Sequence, residues 1–354
     1  MTNRERIETI LRGGTPDRMP FTIFPSLLNR SFYEKEFRNK GLGFVGSHST
    51  ITVARTNITE TVEKFDGGVK TIYRTPVGDV NTIVQIRKGA STSGNVAQDF
   101  MIKSEADYPA VIHIIDNTTF TLDESGEALA HFCIGDEGII HAWTGEPPYM
   151  EAQYYLGLEN WVYAQEDEPE LFAALLAALE RMQERNMALV AQSNMPVLNL
   201  ANLAGTFSAD AFETYMLPHI QKYSKLLRAR GKYTTLHADA SNVREYAHLV
   251  PKMGINIVEA FTPPPFGNLS LGKAREAWGE DVCIWINFPE TVFYEGYENV
   301  RRYTKELLLE DPGPNKMICM TEMGFTGTTM DTVQTFIDGF HAVLDAVAEF
   351  GNYK

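Results

Sequence analysis

The sequence predicts an α/β protein that folds as a (β/α)8 TIM barrel, and three observations support this prediction. Short apolar runs alternate with longer helical patterns along most of the chain, an order that is typical of a parallel sheet. Together with an early run at Pro20–Phe24, eight strand-like runs are present. The length of 354 residues falls in the range of closed barrels, about 200 to 400 residues. A doubly wound open sheet is the alternative, but no Gly-x-Gly-x-x-Gly follows a strand here.

The predicted barrel strands are short runs of apolar and β-branched residues. They are Pro20–Phe24, Ala110–Ile115, Ile139–Ala142, Val197–Leu200, Tyr233–Leu236, Ile255–Ala260, Val282–Ile286 and Met317–Met320.

Helical patterns precede, separate and follow these strands. The helices are predicted at Arg4–Arg12, Ser31–Lys40, Glu151–Glu166, Pro169–Ser193, Ala209–Arg230, Asn242–Met253, Leu269–Trp278, Tyr297–Leu309 and Met330–Phe350. Ile7, Ile10 and Leu11 share one face of the first helix. Ser241, a favourable N-cap residue, is expected to begin the helix that follows the strand Tyr233–Leu236.

The segment from residue 49 to residue 90 has a different pattern. Thr50–Val53, Val69–Tyr73 and Val80–Val84 alternate apolar and polar residues, and Pro76–Asp79 between two of them is typical of a hairpin turn. We therefore expect an N-terminal antiparallel β appendage at 49–90, inserted into one barrel domain that spans residues 1–354.

Composition and charge exclude several classes of partner. The formal net charge of -15 repels the phosphates of nucleic acids and anionic membrane surfaces. It also argues against a highly anionic substrate unless basic residues cluster locally. Three scattered cysteines are typical of a reduced, intracellular protein. Neither an apolar segment near Met1 nor an apolar run of about 18 residues is found, so we expect a cytoplasmic protein.

Polar side chains follow four consecutive predicted strands at the point where each strand ends. They are His237 with Asp239, then Glu259, Asn287 and Glu322. In a β/α barrel the carboxyl ends of all strands meet at one mouth, where catalytic groups lie. We therefore expect these five side chains to line one pocket as the catalytic residues.

One imidazole and several carboxylates suit a divalent metal ion such as zinc, which accepts nitrogen and oxygen ligands. His237, Asp239, Glu259 and Glu322 are the predicted ligands. Structural roles stay open: His237 could only terminate its strand, Glu259 could form an ion pair, and Asp239 could cap the next helix.

A second group of residues could bind a substrate at the same mouth. His141 and Glu146 flank the end of the strand Ile139–Ala142, and Asn202 follows Val197–Leu200. Phe21, Phe24 and Tyr149 could form aromatic walls, although aromatic residues at such spacing are more often part of the core.

Longer stretches of the chain resemble the uroporphyrinogen decarboxylase-like superfamily. The resemblance lies in Arg4–Pro20, in Phe212-x-x-x-x-Leu-Pro218, in Leu236-His237 and in Gly254–Glu259. It covers essentially the whole chain and implies a (β/α)8 barrel. The superfamily contains both porphyrinogen decarboxylases and cobalamin-dependent methyltransferases, so the resemblance alone does not choose between these reactions.

The decarboxylase branch carries a Trp-Met-Arg-Gln-Ala-Gly-Arg motif that holds the carboxylates of its substrate. The matching region here, Phe21–Ser31, retains only Arg30. A tetrapyrrole with many carboxylates would need more positive charge, which argues against decarboxylation of uroporphyrinogen.

The methyltransferase branch carries His-x-Cys, a Glu after the next strand and a Cys in a Gly-Cys-Gly segment, which together bind zinc and activate a thiol. His237 and Glu259 match the first His and the Glu. Asp239 replaces the first Cys, and Met323, next to Glu322, replaces the second. Loss of both thiolates argues against methylation of a thiol such as coenzyme M, and a carboxylate-rich site favours activation of an oxygen.

The resemblance therefore implies an enzyme similar to the substrate-side methyltransferases of O-demethylase systems. In those systems a methyl ether, such as a methoxylated aromatic compound, gives its methyl group to cob(I)alamin on a separate corrinoid protein. The expected cofactors are zinc and partner-bound cobalamin, and the expected partners are a corrinoid protein, a small-molecule methyl donor and, in a homodimer, a second copy. A metal-free decarboxylase or lyase with Asp239 or Glu259 as general acid and a non-catalytic binding barrel are the other hypotheses.

Overall fold

Eight parallel strands close into a barrel, as the sequence predicts. This computed structural model describes residues 1–28, 31–86, 96–203, 205–321 and 330–353. The strands are β1 (Phe21–Ile23), β2 (Leu42–Ser47), β9 (Gly138–Trp143), β10 (Val197–Asn202), β11 (Tyr233–His237), β12 (Ile257–Phe261), β13 (Cys283–Ile286) and β14 (Lys316–Met320). Around the barrel the strand order is β1-β14-β13-β12-β11-β10-β9-β2, and β1 pairs with both β14 and β2.

By its contacts the described chain divides into two compact units. The first unit, residues 1–50, 123–144 and 193–354, contains the barrel. Its helices are α1 (Asn3–Leu11), α2 (Phe32–Lys40), α4 (Glu124–Ile134), α8 (Ala209–Ala211), α9 (Leu217–Arg228), α10 (Val250–Met253), α11 (Leu271–Trp278), α12 (Tyr297–Glu310) and α13 (Met330–Phe350).

The second unit consists of residues 51–122 and 145–192. It holds a two-stranded antiparallel sheet of β3 (Ile51–Arg55) and β8 (Thr118–Leu122). A four-stranded antiparallel sheet contains β4 (Thr59–Phe65), β5 (Gly68–Thr75), β6 (Gly78–Gln85) and β7 (Val96–Asp99). The helices of this unit are α3 (Tyr108–Asp116), α5 (Pro148–Leu156), α6 (Leu158–Asp167) and α7 (Pro169–Val190).

The predicted antiparallel β-structure is present in the strands β3 to β6 of this second unit, and a tight turn joins β5 to β6. Residues 87–90 of the predicted appendage lie outside the described residues. The prediction of one barrel domain over residues 1–354 stays a prediction. No described helix is both long and apolar enough to cross a membrane.

A cluster of buried apolar side chains fills part of the barrel interior. Ile7 and Ile10 of α1 belong to one buried cluster with residues of six strands. The strand members are Val45, Ile139, Val197, Ile257, Cys283, Trp285, Met317 and Cys319. A capping box between Thr2 and Glu5 begins α1 by satisfying two of its unpaired backbone donors. The helix thus packs its apolar face against the barrel core.

One predicted strand is wrong. Ala110–Ile115 lies within the helix α3, and the second strand of the barrel is Leu42–Ser47. The run at 110–115 is too short for its apolar pattern to distinguish helix from strand. The sequence pattern does not reveal β2, because this strand contains Gly43 and Gly46 and glycine is depleted in strands. A Cβ at Gly43 would meet the side chain of Asn3 at 2.8 Å, so the close approach of α1 explains that glycine.

Two predicted helices are interrupted. The pattern at Glu151–Glu166 forms α5 and α6, which are separated by Gly157 with a φ of +76°. Asn242–Met253 forms only a 3-10 turn at Val243–Tyr246 and the one-turn helix α10. The ring of Pro251 in a continuous helix would clash with the preceding turn. Ser241 therefore does not cap a helix.

We predict that Gly138→Ala destabilises the barrel. A Cβ at Gly138 would lie 1.7 Å from the backbone oxygen of Phe44, its partner on β2. The two strands would have to separate, and overpacking of this kind costs about 1–3 kcal/mol or more. Denaturant unfolding measures the loss. Gly313→Ala is the matched control, because its nearest new contact is 3.4 Å, and equal midpoints for the two variants would contradict the prediction.

Candidate active site

A buried pair of side chains, His237 and Glu259, lies at the carboxyl ends of β11 and β12. The two residues are direct partners in the register of these strands. Nδ1 of His237 forms a short hydrogen bond with Oε2 of Glu259. Glu259 is fully buried, and only 8% of His237 is exposed. The structure therefore brings together two of the predicted site residues.

Backbone geometry next to Glu259 accounts for its position. Ala260 has a φ of +58°, a left-handed conformation that residues other than glycine seldom adopt. The pairing of β12 with β13 shifts between Val258 and Phe261, as it does at a β-bulge. Bulges redirect side chains and are frequent beside active sites. The hydroxyl of Thr262 donates to the carbonyl oxygen of Ala260 at 3.2 Å and so supports this turn of the chain.

Asp239 lies on the other side of the imidazole. Its Oδ2 is 3.5 Å from Nε2 of His237, and its side chain is about one-third exposed. Burial alone would lower the pKa of His237. The carboxylates of Glu259 and Asp239 outweigh this effect and raise the pKa above the ordinary value. The ring therefore carries a proton more readily than a free histidine and lies between a buried and a partly exposed carboxylate.

Aromatic rings extend from this pair along the inner face of the barrel. The ring of Trp143 packs edge-on against His237 with 5.1 Å between centroids, and against His141 with 5.6 Å. Phe24 stacks on His141 at 5.4 Å. His141 is completely buried, and burial lowers its pKa, which favours a neutral ring. Phe24, His141, Trp143 and His237 therefore form a continuous row, which we call the aromatic wall.

Asn287 lies at the end of β13 and is 4% exposed. Its side chain bonds to Thr262 and to the backbone of Thr321, not to His237 or Glu259. Asn202 is the strand partner of His237 on β10, so it lies at the same edge of the barrel. Glu322 is outside the described residues, directly after Thr321.

Three further predicted substrate-binding residues make contacts within their own units, and their role stays a prediction. Phe21 stacks on Phe340 of α13. The hydroxyl of the next residue, Thr22, donates to a backbone oxygen of β14. Glu146 and Tyr149 belong to the second unit. There the Tyr149 hydroxyl donates to Gln165 at 2.8 Å, and the backbone oxygen of Glu146 accepts from Gln183 at 2.8 Å.

Trp143 and Thr262 are site residues that the sequence analysis missed. Trp143 is two positions after His141 on the same strand, so both side chains point to one face. The spacing of two residues from His141 could therefore have placed Trp143 at the site from the sequence alone. Thr262 follows a bulge, and no local pattern of the sequence reveals a bulge.

The donor set bears on the predicted zinc ion. Within the described ranges, no three His, Cys, Asp or Glu side chains are arranged as a metal-binding group. Nε2 of His237 and Oδ2 of Asp239 are 3.5 Å apart, close to the roughly 3.3 Å between two ligands of tetrahedral zinc with bonds of about 2.0–2.1 Å. Glu259 holds the opposite ring nitrogen, as carboxylates beside metal-bound histidines commonly do. These two donors fit zinc, with Glu259 behind the ring.

Cys319 lies near Glu259 but does not provide a thiolate. It is fully buried on β14, and burial together with the nearby Glu259 raises its pKa well above the ordinary value. The thiol is therefore protonated and belongs to the apolar core.

A small cavity of about 180 Å³ borders the same mouth. Its lining includes Thr262, Asn287, Phe266 and Phe288. Another cavity, of about 650 Å³, lies between α2 and α4 and is lined by Phe24, Phe44, Arg38 and Ile140. Phe24 thus contacts this second cavity as well as the aromatic wall.

Comparison with known proteins shows the fold. No family model matches the sequence, and no curated protein matches it. A methyltransferase from Methanosarcina mazei is similar in structure, with a TM-score of 0.57 and 13% sequence identity over 99% of both chains. A B12-independent methionine synthase from Shewanella sp. W3-18-1 gives a TM-score of 0.41 and 10% identity over 90% of this chain and 86% of that one. At 13% identity, the similarity to the Methanosarcina mazei structure shows a shared TIM-barrel fold.

The raised pKa of His237 predicts a pH-dependent stability. The folded protein binds this proton more tightly than the unfolded chain, so the stabilisation is complete below about pH 6.5, the ordinary histidine pKa. It is lost as the pH rises through the higher pKa of the folded state. Denaturant unfolding from about pH 6, just below the ordinary histidine pKa, to about pH 9, with a chelator present, should give a free energy of unfolding that falls with pH.

Glu259→Gln should reduce this slope, because it removes the main charge that raises the pKa. Glu298→Gln is the control, since Glu298 is exposed and its loss should leave the slope unchanged. An unchanged slope in the Glu259 variant would rule out the pair as its cause.

Proposed function

We propose that this chain is a methyltransferase that removes the methyl group of a small methyl ether, with a methoxylated aromatic compound as the expected donor. The methyl group passes to cob(I)alamin on a separate corrinoid protein. One observation supports the proposal above the others: His237 is held between Glu259 and Asp239 at the barrel mouth, where a thiol-activating site would carry a cysteine in place of Asp239. The methyltransferase name of one structure with the same fold agrees with this proposal.

His237 and Asp239 are the proposed zinc ligands, through Nε2 and a carboxylate oxygen. Glu322 stays the predicted further ligand. Glu259 bonds to Nδ1, the ring nitrogen opposite Nε2, so in this arrangement it orients the histidine, and its own role as a ligand stays a prediction. When bound, zinc would polarise the ether oxygen as a Lewis acid and stabilise the departing oxyanion.

The residues of the chain supply orientation and a dry environment. Glu259 accepts the Nδ1 proton of His237, which directs Nε2 toward Asp239 and fixes the tautomer. The aromatic wall provides flat apolar surfaces against which a ring can pack, at centroid distances of about 4.5–7 Å. Burial of His237 and Glu259 keeps water from competing for the reacting oxygen.

The reaction is balanced as a transfer of a methyl cation equivalent. The bond between the methyl carbon and the ether oxygen breaks, and its electron pair stays on the oxygen. The new bond to the methyl carbon would take its electron pair from cob(I)alamin on the partner protein, and the released oxyanion would take a proton from water. Location in the cytoplasm and a homodimer stay predictions.

Thiol methylation is less compatible with the site. Cys319, which interacts electrostatically with Glu259, is a buried and protonated thiol, and Asp239 is a carboxylate. A metal-free lyase is the second candidate, because the raised pKa of His237 leaves a proton on the ring that Nε2 could donate to a substrate.

The test mixes the purified full-length protein with zinc, free cob(I)alamin and a panel of methyl ethers under anaerobic conditions. We expect the absorption spectrum of methylcobalamin to develop with at least one methoxylated aromatic compound. Turnover of carboxylated substrates in the presence of a chelator, with none of the ethers consumed, would favour the lyase.

His237→Ala should abolish zinc binding. The wild-type protein is expected to hold about one zinc per chain, measured by elemental analysis, and loss of a ligand removes most of the affinity. Zinc binding by the wild type should also release a proton, because the raised pKa of His237 leaves its ring protonated beforehand. His248→Ala is the matched control, since His248 is an exposed histidine that should not change the zinc content. Full activity of a zinc-free protein would refute the metal-dependent mechanism.

A further inference from the structure

A chain of hydrogen bonds joins the ends of β12, β13 and β14 beside the candidate active site. The backbone N–H of Thr321 donates to Oδ1 of Asn287 at 3.1 Å. Nδ2 of Asn287 donates to the hydroxyl of Thr262 at 3.0 Å. That hydroxyl donates in turn to the carbonyl oxygen of Ala260 at 3.2 Å. This series of hydrogen bonds thus ends at Ala260, the residue that directly follows Glu259.

The direction of these bonds is determined by chemistry. A backbone N–H can only donate, so the Asn287 atom facing Thr321 has to be the amide oxygen. The amide nitrogen then faces Thr262, whose hydroxyl accepts this bond and is left with one proton to donate. Asn287 and Thr262 are each 4% exposed, so water cannot readily replace either partner. An unpaired buried polar group here would be destabilising.

Both ends of this hydrogen-bond chain lie next to predicted site residues. Ala260, with its φ of +58°, forms the bulge that orients Glu259. Thr321 is the last described residue before Glu322. The backbone of Asn287 is also fixed, because its N–H donates to the carbonyl oxygen of Phe261 at 2.9 Å.

We propose that Asn287 is a positioning residue, acting with Thr262, that couples the bulge behind Glu259 to the backbone of Thr321 at the end of β14. Both polar atoms of its amide bond to neighbouring strand ends, so it acts on the reaction through the placement of Glu259. This inference rests on the proposed function for its effect on turnover, and on the hydrogen-bond geometry alone for the coupling. It changes the expected role of Asn287 from a catalytic to a positioning residue.

The experiment compares Thr262→Val, Thr262→Ser and Asn287→Ala in the full-length protein. Valine has nearly the shape of threonine but lacks the hydroxyl, whereas serine keeps it. Thr291→Val is the matched control, because Thr291 lines the same small cavity but is exposed and outside the hydrogen-bond chain. Amide hydrogen exchange, read from peptides that cover residues 257–262 and 317–321, reports the coupling without any assay of activity.

Thr262→Val should accelerate exchange of the Thr321 amide, although position 262 does not bond to Thr321. It should also lower kcat for methyl transfer by about 10- to 100-fold, the usual effect of losing a supporting hydrogen bond behind an active site. KM for the ether should stay within about twofold, because no substrate contact is removed. Thr262→Ser should restore both values, and Asn287→Ala should match Thr262→Val.

Unchanged exchange at Thr321 in Thr262→Val would overturn the coupling, whatever the activity. Faster exchange with an unchanged kcat would overturn the positioning role. A large loss in Asn287→Ala with full activity in Thr262→Val would instead assign Asn287 a direct contact with the substrate. If the wild type transfers methyl groups from none of the ethers, the proposed function fails, and the exchange data still decide whether the coupling exists.

Discussion

A carboxylate without any solvent exposure needs a charged or hydrogen-bonded partner, and Glu259 has His237. Moving an unpaired carboxylate into a protein interior costs several kcal/mol, and removing one member of a buried pair costs about 3–5 kcal/mol. The pair therefore constrains its surroundings. His237 and Glu259 have to be opposite each other on β11 and β12, and the bulge at Ala260 has to direct the Glu259 side chain toward the imidazole. The register of these two strands therefore also determines which side chains meet at the barrel mouth.

The surroundings of His237 change from solvent to interior across a short distance. Asp239 is partly exposed on one side of the ring, and Glu259 is fully buried on the other. Nε2 therefore faces the mouth, where a proton or a metal ion can compete for it. Phe24 and Trp143 of the aromatic wall add flat apolar surfaces next to the two histidine rings. A polar reactive centre beside an apolar surface suits a small apolar molecule that carries one reactive oxygen.

Much of the fold could be predicted, because seven of the eight barrel strands coincide with short apolar runs that can be recognised from the local sequence. The exception is instructive. β2 contains Gly43 and Gly46, whose small size serves contacts with Asn3 and Ile140 that are distant in sequence. Ala110–Ile115 is the opposite case, since an apolar run of that length suits either a strand or a buried helix face. Of the site, the position of His237 and Glu259 at adjacent strand ends was predictable, whereas the separation of Phe21 from Phe24 was not.

The sequence by itself determined which residues stand at the carboxyl ends of consecutive strands, because a parallel barrel brings all of these ends to one mouth. Only the tertiary structure decided that Glu259 holds Nδ1 of His237, that Trp143 packs against the same ring, and that the Asn287 amide is used to join neighbouring strand ends. Side-chain partners of this kind depend on rotamers, on a bulge at Ala260 and on contacts between residues far apart along the chain. Periodicity carries no information about these through-space contacts.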